Sequence, residues 1–404
     1  MDPTARRLIV LRLARSVGQG ALVVDLALYL KELGWSGVAI GGVLGATGIV
    51  AATLSLAVGI ASDRLGRKPF IVVAEVLTIV CAAVALAAAN PWLLVPAIVF
   101  AGFGRGMNGA ASFFGPAEQA WLASVVVRTE RGRVYSLNVA AGSIGMAAGA
   151  ALAAVPAVLA PAIGLAPAFR LLFLIPLAGA LVSLALLWSM RETRDAHSLP
   201  EQTEVLGRAR RGRENRLLAS LMGLNSVNGL AIGLVSPLIS YWFALRFGIG
   251  PAAIAPFMAA TFLVSGFAAL ATGRLAERIG VVPAVVSART LGVLLLVLVP
   301  LMPAYALAAA FFALRSALNR GSNGARQALV VSLVGDERRG LAVSLNTASF
   351  QYAQGVGPAI SGALLDAGQL LIPFFVAAGL QLLYVFGYWR VFRRHDPSRP
   401  PPVE

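Results

Sequence analysis

The chain has 404 residues, of which 58% are hydrophobic and only 13% charged, and its mean hydropathy is +0.80. No soluble domain of this size needs so much apolar surface, so the composition is that of a protein with many membrane spans. A net charge of +15 would suggest a nucleic-acid partner in a soluble protein, but here the arginines gather in alternate segments between apolar runs, as the positive-inside rule predicts, and the partner they imply is the lipid bilayer, with no nucleic acid. The one cysteine, Cys81, lies within an apolar run, so no intramolecular disulfide forms. His197 and His395 both fall in polar segments, so neither a metal site nor a cofactor is expected. The first apolar run has no small-residue cleavage site after it and is expected to stay in place as a signal anchor. Lysine occurs only at Lys31 and Lys68, which fits a GC-rich bacterial genome.

Twelve segments are predicted to be helical spans, at 8–30, 36–61, 70–89, 92–119, 133–156, 168–189, 216–243, 252–272, 281–301, 303–333, 340–365 and 370–391. A span needs about 20 residues at about 1.5 Å each, and internal proline or glycine is tolerated there. The cytoplasmic segments then hold Arg6, Arg7, 64–68, 128–133, 191–216, 274–278, 338–339 and 390–399, whereas the outer loops hold only Lys31, Arg170, Arg246 and a few acids. Both termini are expected in the cytoplasm of a bacterium, with the chain in its inner membrane. The polar stretch 191–216, with seven arginines and five acids, divides the chain. The expected organisation is an N-terminal bundle at 1–190, a cytoplasmic linker at 191–215, and a C-terminal bundle with a short tail at 216–404.

In the first span, Arg12, Arg15 and Gln19 share one stripe by spacing, and Asp25 follows later, toward the outer side. Ionisable groups inside spans cost several kcal/mol unless paired or facing water, so each is a functional candidate. Between the second and third spans runs Gly59-Ile-Ala-Ser-Asp63-Arg64-Leu-Gly66-Arg67-Lys68-Pro69. Gly59 lies one helical turn before Asp63 and lets a neighbouring helix approach the carboxylate. Gly66 frees the turn, and Pro69 starts the next helix without losing a needed donor.

This G-x-x-x-D-R-x-G-R-K pattern resembles the cytoplasmic loop signature of the major facilitator superfamily. The resemblance implies an all-α membrane protein of twelve transmembrane helices in two pseudo-symmetric six-helix bundles. It also implies that Asp63, Arg64 and Arg67, with Gly59 and Gly66, belong to a cytoplasmic charge latch that closes in one state and opens in the other. The second half carries a degenerate copy: Gly34, Gly59, Asp63-Arg64, Gly66 and Pro69 match Gly248, Gly273, Glu277-Arg278, Gly280 and Pro283, all displaced by 214 residues. Further on, Arg105-Gly-Met-Asn108-Gly109 recurs as Arg320-Gly-Ser-Asn323-Gly324, displaced by 215, and Gly132 to Asn138 recurs as Gly340 to Asn346, displaced by 208. Three matches in sequence order indicate a six-plus-six duplication.

In the family the first and fourth helices of each half line a central cavity, which makes Asp25 the first candidate for proton coupling, since a cavity carboxylate can bind and release a proton. The alternative is a carboxylate near the outer interface, capped by Tyr29 or water. Arg105, near the middle of span four, resembles the family's fourth-helix arginine, associated with proton coupling or an anionic substrate, and Asn108 could present an amide to the same cavity. Arg320 and Asn323 are its twin, and two arginines on one cavity would favour an anionic group. The alternative is that these glycine-rich segments allow tight packing while each arginine pairs with backbone carbonyls. Glu75 in span three and Glu118 near the inner end of span four are expected to form a structural pair with Arg15. Arg289, at the place equivalent to Glu75, is expected to be structural too, and Arg315 and Arg326 are ambiguous.

Span seven adds Asn225, Asn228, Tyr241 and Trp242, and span eleven adds Gln351 and Gln354, which could supply hydrogen bonds and a stacking surface to an organic ligand. Span eleven also reads Gly355-Val-Gly357-Pro358, resembling a Gly-Pro motif that proton-driven drug exporters carry in the fifth span; span five here has Gly142, Gly145 and Gly149 without that proline. No G-x-x-x-x-G-K-[ST], H-E-x-x-H or G-x-S-x-G pattern is present, which argues against an ATP-driven pump and against a membrane enzyme. A non-transporting sensor would need a larger soluble output domain. The expectation is a monomeric secondary transporter working by alternating access, preferably exporting a small organic compound by proton antiport, with proton symport of an organic anion as the rival.

Overall fold

The computed structural model describes the backbone of residues 2–105, 113–127, 130–190, 192, 208–332 and 339–393; the side chains at 60, 63–64, 131–133, 136, 208–211, 213, 269–277, 323–325, 327–328, 330–332 and 339–343 are outside the description. Every described element is helical. The first half comprises α1 (Pro3–Glu32), α2 (Gly37–Leu65), α3 (Lys68–Ala87), α4 (Pro91–Ala101), α5 (Gly115–Val125), α6 (Arg131–Leu152), α7 (Val155–Ile163), α8 (Leu165–Leu171) and α9 (Leu174–Trp188). The second comprises α10 (Arg208–Val235), α11 (Ile239–Phe247), α12 (Pro251–Ile279), α13 (Val281–Leu298), α14 (Tyr305–Ser332), α15 (Arg339–Asp366) and α16 (Ile372–Phe392).

Each of the twelve predicted segments carries helix. Segment four is split into α4 and α5, six into α8 and α9, and seven into α10 and α11, while α7 occupies part of a predicted outer loop. Among the described residues nine stretches are long and apolar enough to cross a membrane on their own. Segments four, ten and eleven are not among them: the helix of four is interrupted, and polar residues such as Arg315 and Asn319, or Asn346 and Gln351, interrupt the apolar character of ten and eleven.

Local signals set several helix ends. Asp2 caps α1 by accepting from the Thr4 amide at 2.7 Å, Ser36 caps α2 through the Ala39 amide at 3.2 Å, and Asn90 caps α4 through the Trp92 amide at 3.0 Å. Gly66, at φ +95°, stops α2 where a side chain would be strained.

The two halves share one wiring. The pairings α1–α6, α3–α9 and α3–α4 recur as α10–α15, α13–α16 and α13–α14, which is what a duplication requires. Between the halves α2 packs along α15 and α6 along α12. Small residues let α2 and α15 touch: a Cβ on Gly41 would lie 2.6 Å from the carbonyl carbon of Pro358. One end of this seam is held by a cap that crosses between halves. Asp366, the last residue of α15, accepts from the Gly37 amide at 2.7 Å and the Val38 amide at 2.9 Å, at the first turn of α2. Further along the seam Thr53 and Tyr352 share a hydrogen bond of 2.9 Å.

Candidate functional site

Asp25 lies in the middle of the first bundle. It is 0% exposed, and among the described residues neither carboxylate oxygen has a hydrogen-bond partner. The Tyr29 hydroxyl one turn on, the alternative expected as a cap, is buried without a partner as well, and its ring packs on Phe173 at 6.0 Å. A carboxylate so placed costs several kcal/mol unless a proton, a cation or water joins it.

The sequence places Arg105 within a continuous fourth helix, and the structure corrects this. α4 ends at Ala101, and Gly102 and Gly104 adopt φ of +74° and +69°, so Arg105 lies on a non-helical segment. Only glycine takes this conformation without strain. The turn is pressed against the first span: a Cβ on Gly104 would lie 3.0 Å from the Leu44 side chain and closer still to that of Leu26, the neighbour of Asp25. The break thus packs Gly104 against Leu26 of α1, and the Arg105 side chain turns back over Gly102, its Cδ 3.3 Å from where a Cβ on that glycine would lie. Asn108 lies outside the described residues.

Deeper toward the predicted cytoplasmic side, Arg15 is bonded to Glu118 and stands 3.6 Å from Glu75, with its guanidinium 4.3 Å from the centre of the Phe114 ring. Both pairings considered from the sequence therefore form, on one arginine. Gln19 donates to the Gly102 carbonyl at 3.0 Å and so ties this cluster to the break in span four.

The second half holds a different network. Arg289, 1% exposed, donates to the Ser322 hydroxyl at 3.0 Å, the Asn228 side-chain oxygen at 3.3 Å and the Asn319 carbonyl at 3.3 Å. Arg326 donates to the side-chain oxygen of Asn225 at 2.7 Å, and the Asn225 amide donates to Asn346. Asn225 and Asn228 are thus brought together by arginines from α13 and α14, a role their spacing on span seven gave no sign of. Arg320 sits 5.3 Å from the Phe262 ring centre, and the side chain of its companion Asn323 is outside the description. Gln351 has a buried side-chain oxygen with no partner among the described residues, while the backbone of Gln354 meets Gly233 of α10.

Tyr241 and Trp242 do not join these groups. Trp242 donates its indole N–H to the Leu370 carbonyl at 2.9 Å and packs 4.6 Å from the Phe374 ring centre, so protein occupies the surface expected to stack a ligand. Tyr241 is 2% exposed beside it, with Lys31 5.9 Å from its ring centre.

In the loop between α2 and α3, Arg67 holds to its own half. Its guanidinium donates to the Ala120 carbonyl at 2.9 Å, and its amide and that of Lys68 both donate to the Glu192 carboxylate at 2.9 Å, which caps α3. Gly59 lies 3.9 Å, at its would-be Cβ, from Pro116, and Arg278 is exposed. The side chains of Asp63, Arg64 and Glu277 lie outside the described residues.

Comparison with known proteins fits this architecture. The family model of the Major Facilitator Superfamily matches residues 8–224 and again 221–404. The chain is similar to the multidrug resistance protein MdtH of Proteus mirabilis (strain HI4320), 31% identical over 122 residues covering 30% of this chain and 29% of that protein. It is also similar to MdtH of Cronobacter sakazakii (strain ATCC BAA-894), 30% identical over 152 residues covering 34% and 36%. The match spans only about a third of the length of these curated relatives. Among solved structures, a bacterial homologue of the human lysosomal transporter Spinster, inward-facing and unoccupied, superposes with a TM-score of 0.74 over 100% of both chains at 15% identity, a likeness of fold. With the family model matched twice across nearly its whole length, the chain belongs to the Major Facilitator Superfamily, as a multi-pass membrane protein.

Proposed function

We propose that the chain is a proton-coupled secondary transporter that exports a small organic compound from a bacterium by antiport, its two halves rocking about a site near the midplane. The observation that carries this reading is Asp25, a carboxylate buried within the first span with no hydrogen-bond partner among the described residues. A buried carboxylate on the first span and an arginine on the fourth are groups that a proton-driven carrier can use. The partial similarity to the MdtH multidrug resistance proteins supports export of an organic solute. In this account the chain works as a monomer in the inner membrane with both termini in the cytoplasm, and 191–215 links the bundles 1–190 and 216–404. Asp25 and Arg105 carry the proton coupling. Asn108, Arg320, Asn323, Asn225, Asn228, Gln351 and Gln354 face the solute, and Asp63, Arg64, Arg67, Glu277 and Arg278 form the cytoplasmic latch.

A second reading, uptake of an organic anion by proton symport, is favoured by Arg315. It is 1% exposed, and two of its guanidinium nitrogens have no hydrogen-bond partner among the described residues. Thermal unfolding of the purified chain against lipophilic cations, sugars, amino acids and organic acids, at two pH values, separates the two. Stabilisation by ethidium or a similar cation, lost in Asp25→Asn, supports export. Stabilisation by carboxylates alone, lost in Arg315→Gln, replaces it with the symport reading.

A further inference from the structure

Glu75 of α3 is buried inside the first bundle, its side chain 1% exposed, and neither of its carboxylate oxygens has a hydrogen-bond donor among the described residues. Among the described residues its ion pair is with Arg15 at 3.6 Å, and that arginine is bonded more closely to Glu118 of α5. Two carboxylates therefore share one guanidinium unequally, and the less well-held one is left without donors. Beside Arg15 lies a cavity of about 40 Å³, lined by Arg15, Gln19 and Thr78 together with apolar groups such as Phe103 and Phe114, and Glu75 is linked to it through Arg15. That volume admits at least one water, which takes roughly 10–15 Å³ by the same measure. The Gln19 side-chain oxygen, buried and without a partner among the described residues, is available to such a water, and its amide reaches the Gly102 carbonyl at the break in span four.

The second half tells Glu75 apart from an ordinary packing residue. By the displacement of 214 residues Glu75 corresponds to Arg289, and Arg326 of α14 is a second arginine in the network of that half. Those positions face the same partner helix in their own half, α10, through Asn228 and Asn225. An arginine is always protonated at working pH, so the equivalent place in the second half carries fixed charge and the first half carries charge that can change.

We infer that Glu75 is a proton-exchange site of this carrier, with Glu118 and Arg15 as the charges that govern its occupancy and the adjoining cavity as its access for water. The inference rests on the chain being a transporter, not on Asp25 being its coupling residue. A hydronium ion entering the cavity gives its proton to a Glu75 oxygen and remains as water; Arg15 then holds Glu118 alone, and α3 loses its charged tie to α1. Loss of the proton restores the tie. The other charged groups near Glu75 are few. Arg12 of α1 lies on the stripe of Arg15; α4 and α9, which pack on α3, have no ionisable residue; α8 contributes Arg170; and α2 contributes Asp63 and Arg64, whose side chains are outside the description.

The test is pH-difference infrared spectroscopy of the full chain in nanodiscs, following the protonated-carboxyl stretching band with no solute present. A band that titrates in Asp25→Asn, is reduced in Glu75→Gln and is lost in the Asp25→Asn/Glu75→Gln double variant is the expected result. A band unchanged in Glu75→Gln overturns the inference. Should that variant not fold, Arg15→Gln decides: a titration midpoint displaced by a pH unit or more supports the site, and an unmoved midpoint rejects it, which a purely structural arginine would leave in place. Solute flux absent from proteoliposomes while the titration persists would count against the transporter's proposed substrate and leave this site standing.

Discussion

At the scale of single residues, burial decides which polar groups work and which merely hold. Trp242 has its indole N–H satisfied and its ring packed among phenylalanines, so Trp242→Ala should cost about 3–5 kcal/mol, whereas Trp242→Phe should cost about 1 kcal/mol, the value of one hydrogen bond. The difference in thermal unfolding midpoint between the two variants checks it, and equal midpoints would mean the residue is not an anchor. Arg105→Lys keeps the charge and loses the planar fork, so gradient-driven transport should fall at least about tenfold with the fold intact; wild-type flux would reduce Arg105 to packing. A pairing of Arg15 with Glu75 or with Glu118 was legible in the sequence, because helical spacing and depth along the spans bring those positions to one level; that one arginine serves both was not. The bond from Trp242 to Leu370 was not, since nothing local in either segment points to a partner 128 residues away. The same holds for Arg326 and Asn225, whose contact depends on how α14 rolls against α10.

At the scale of elements, the break after α4 is the feature that periodicity hid. Apolar residues continue through 92–119 at a density that suits an unbroken span, and the glycines at 102 and 104 read equally well as packing residues. Their positive φ values show them to be a turn, and close contact with Leu26 and Leu44 fixes it. Gly104→Ala should therefore destabilise the fold by about 2–4 kcal/mol, from backbone strain together with overpacking. A thermal midpoint within a degree of the wild type would show that the turn can relax. The cap on α3 was equally invisible: Glu192 lies beyond a whole bundle in sequence, yet its carboxylate receives both amides at the start of α3. Helix identity and order, by contrast, followed from apolar length and basic loops, and every predicted span carries helix.

At the scale of the whole molecule, the duplication read from three displaced motifs appears again as matched helix pairings, and the halves meet along α2–α15 and α6–α12. The seam between α2 and α15 ends in the Asp366 cap, two hydrogen bonds to a carboxylate that must break if the halves part at that end. Such bonds are worth about 1.5–3 kcal/mol. Asp366→Ala should therefore favour the state open at that end by about tenfold or more, seen as faster labelling of a cysteine placed at Gly42 in a Cys81→Ser background; unchanged labelling would assign the cap to folding alone. The central claim, proton-driven export of an organic solute, is tested most directly by flux. Proteoliposomes with an acidic lumen should accumulate ethidium as protons leave, a protonophore should abolish the accumulation, and Asp25→Asn should remove its dependence on the gradient. Ethidium uptake no greater than in protein-free liposomes, or the same with and without the gradient, would contradict the account.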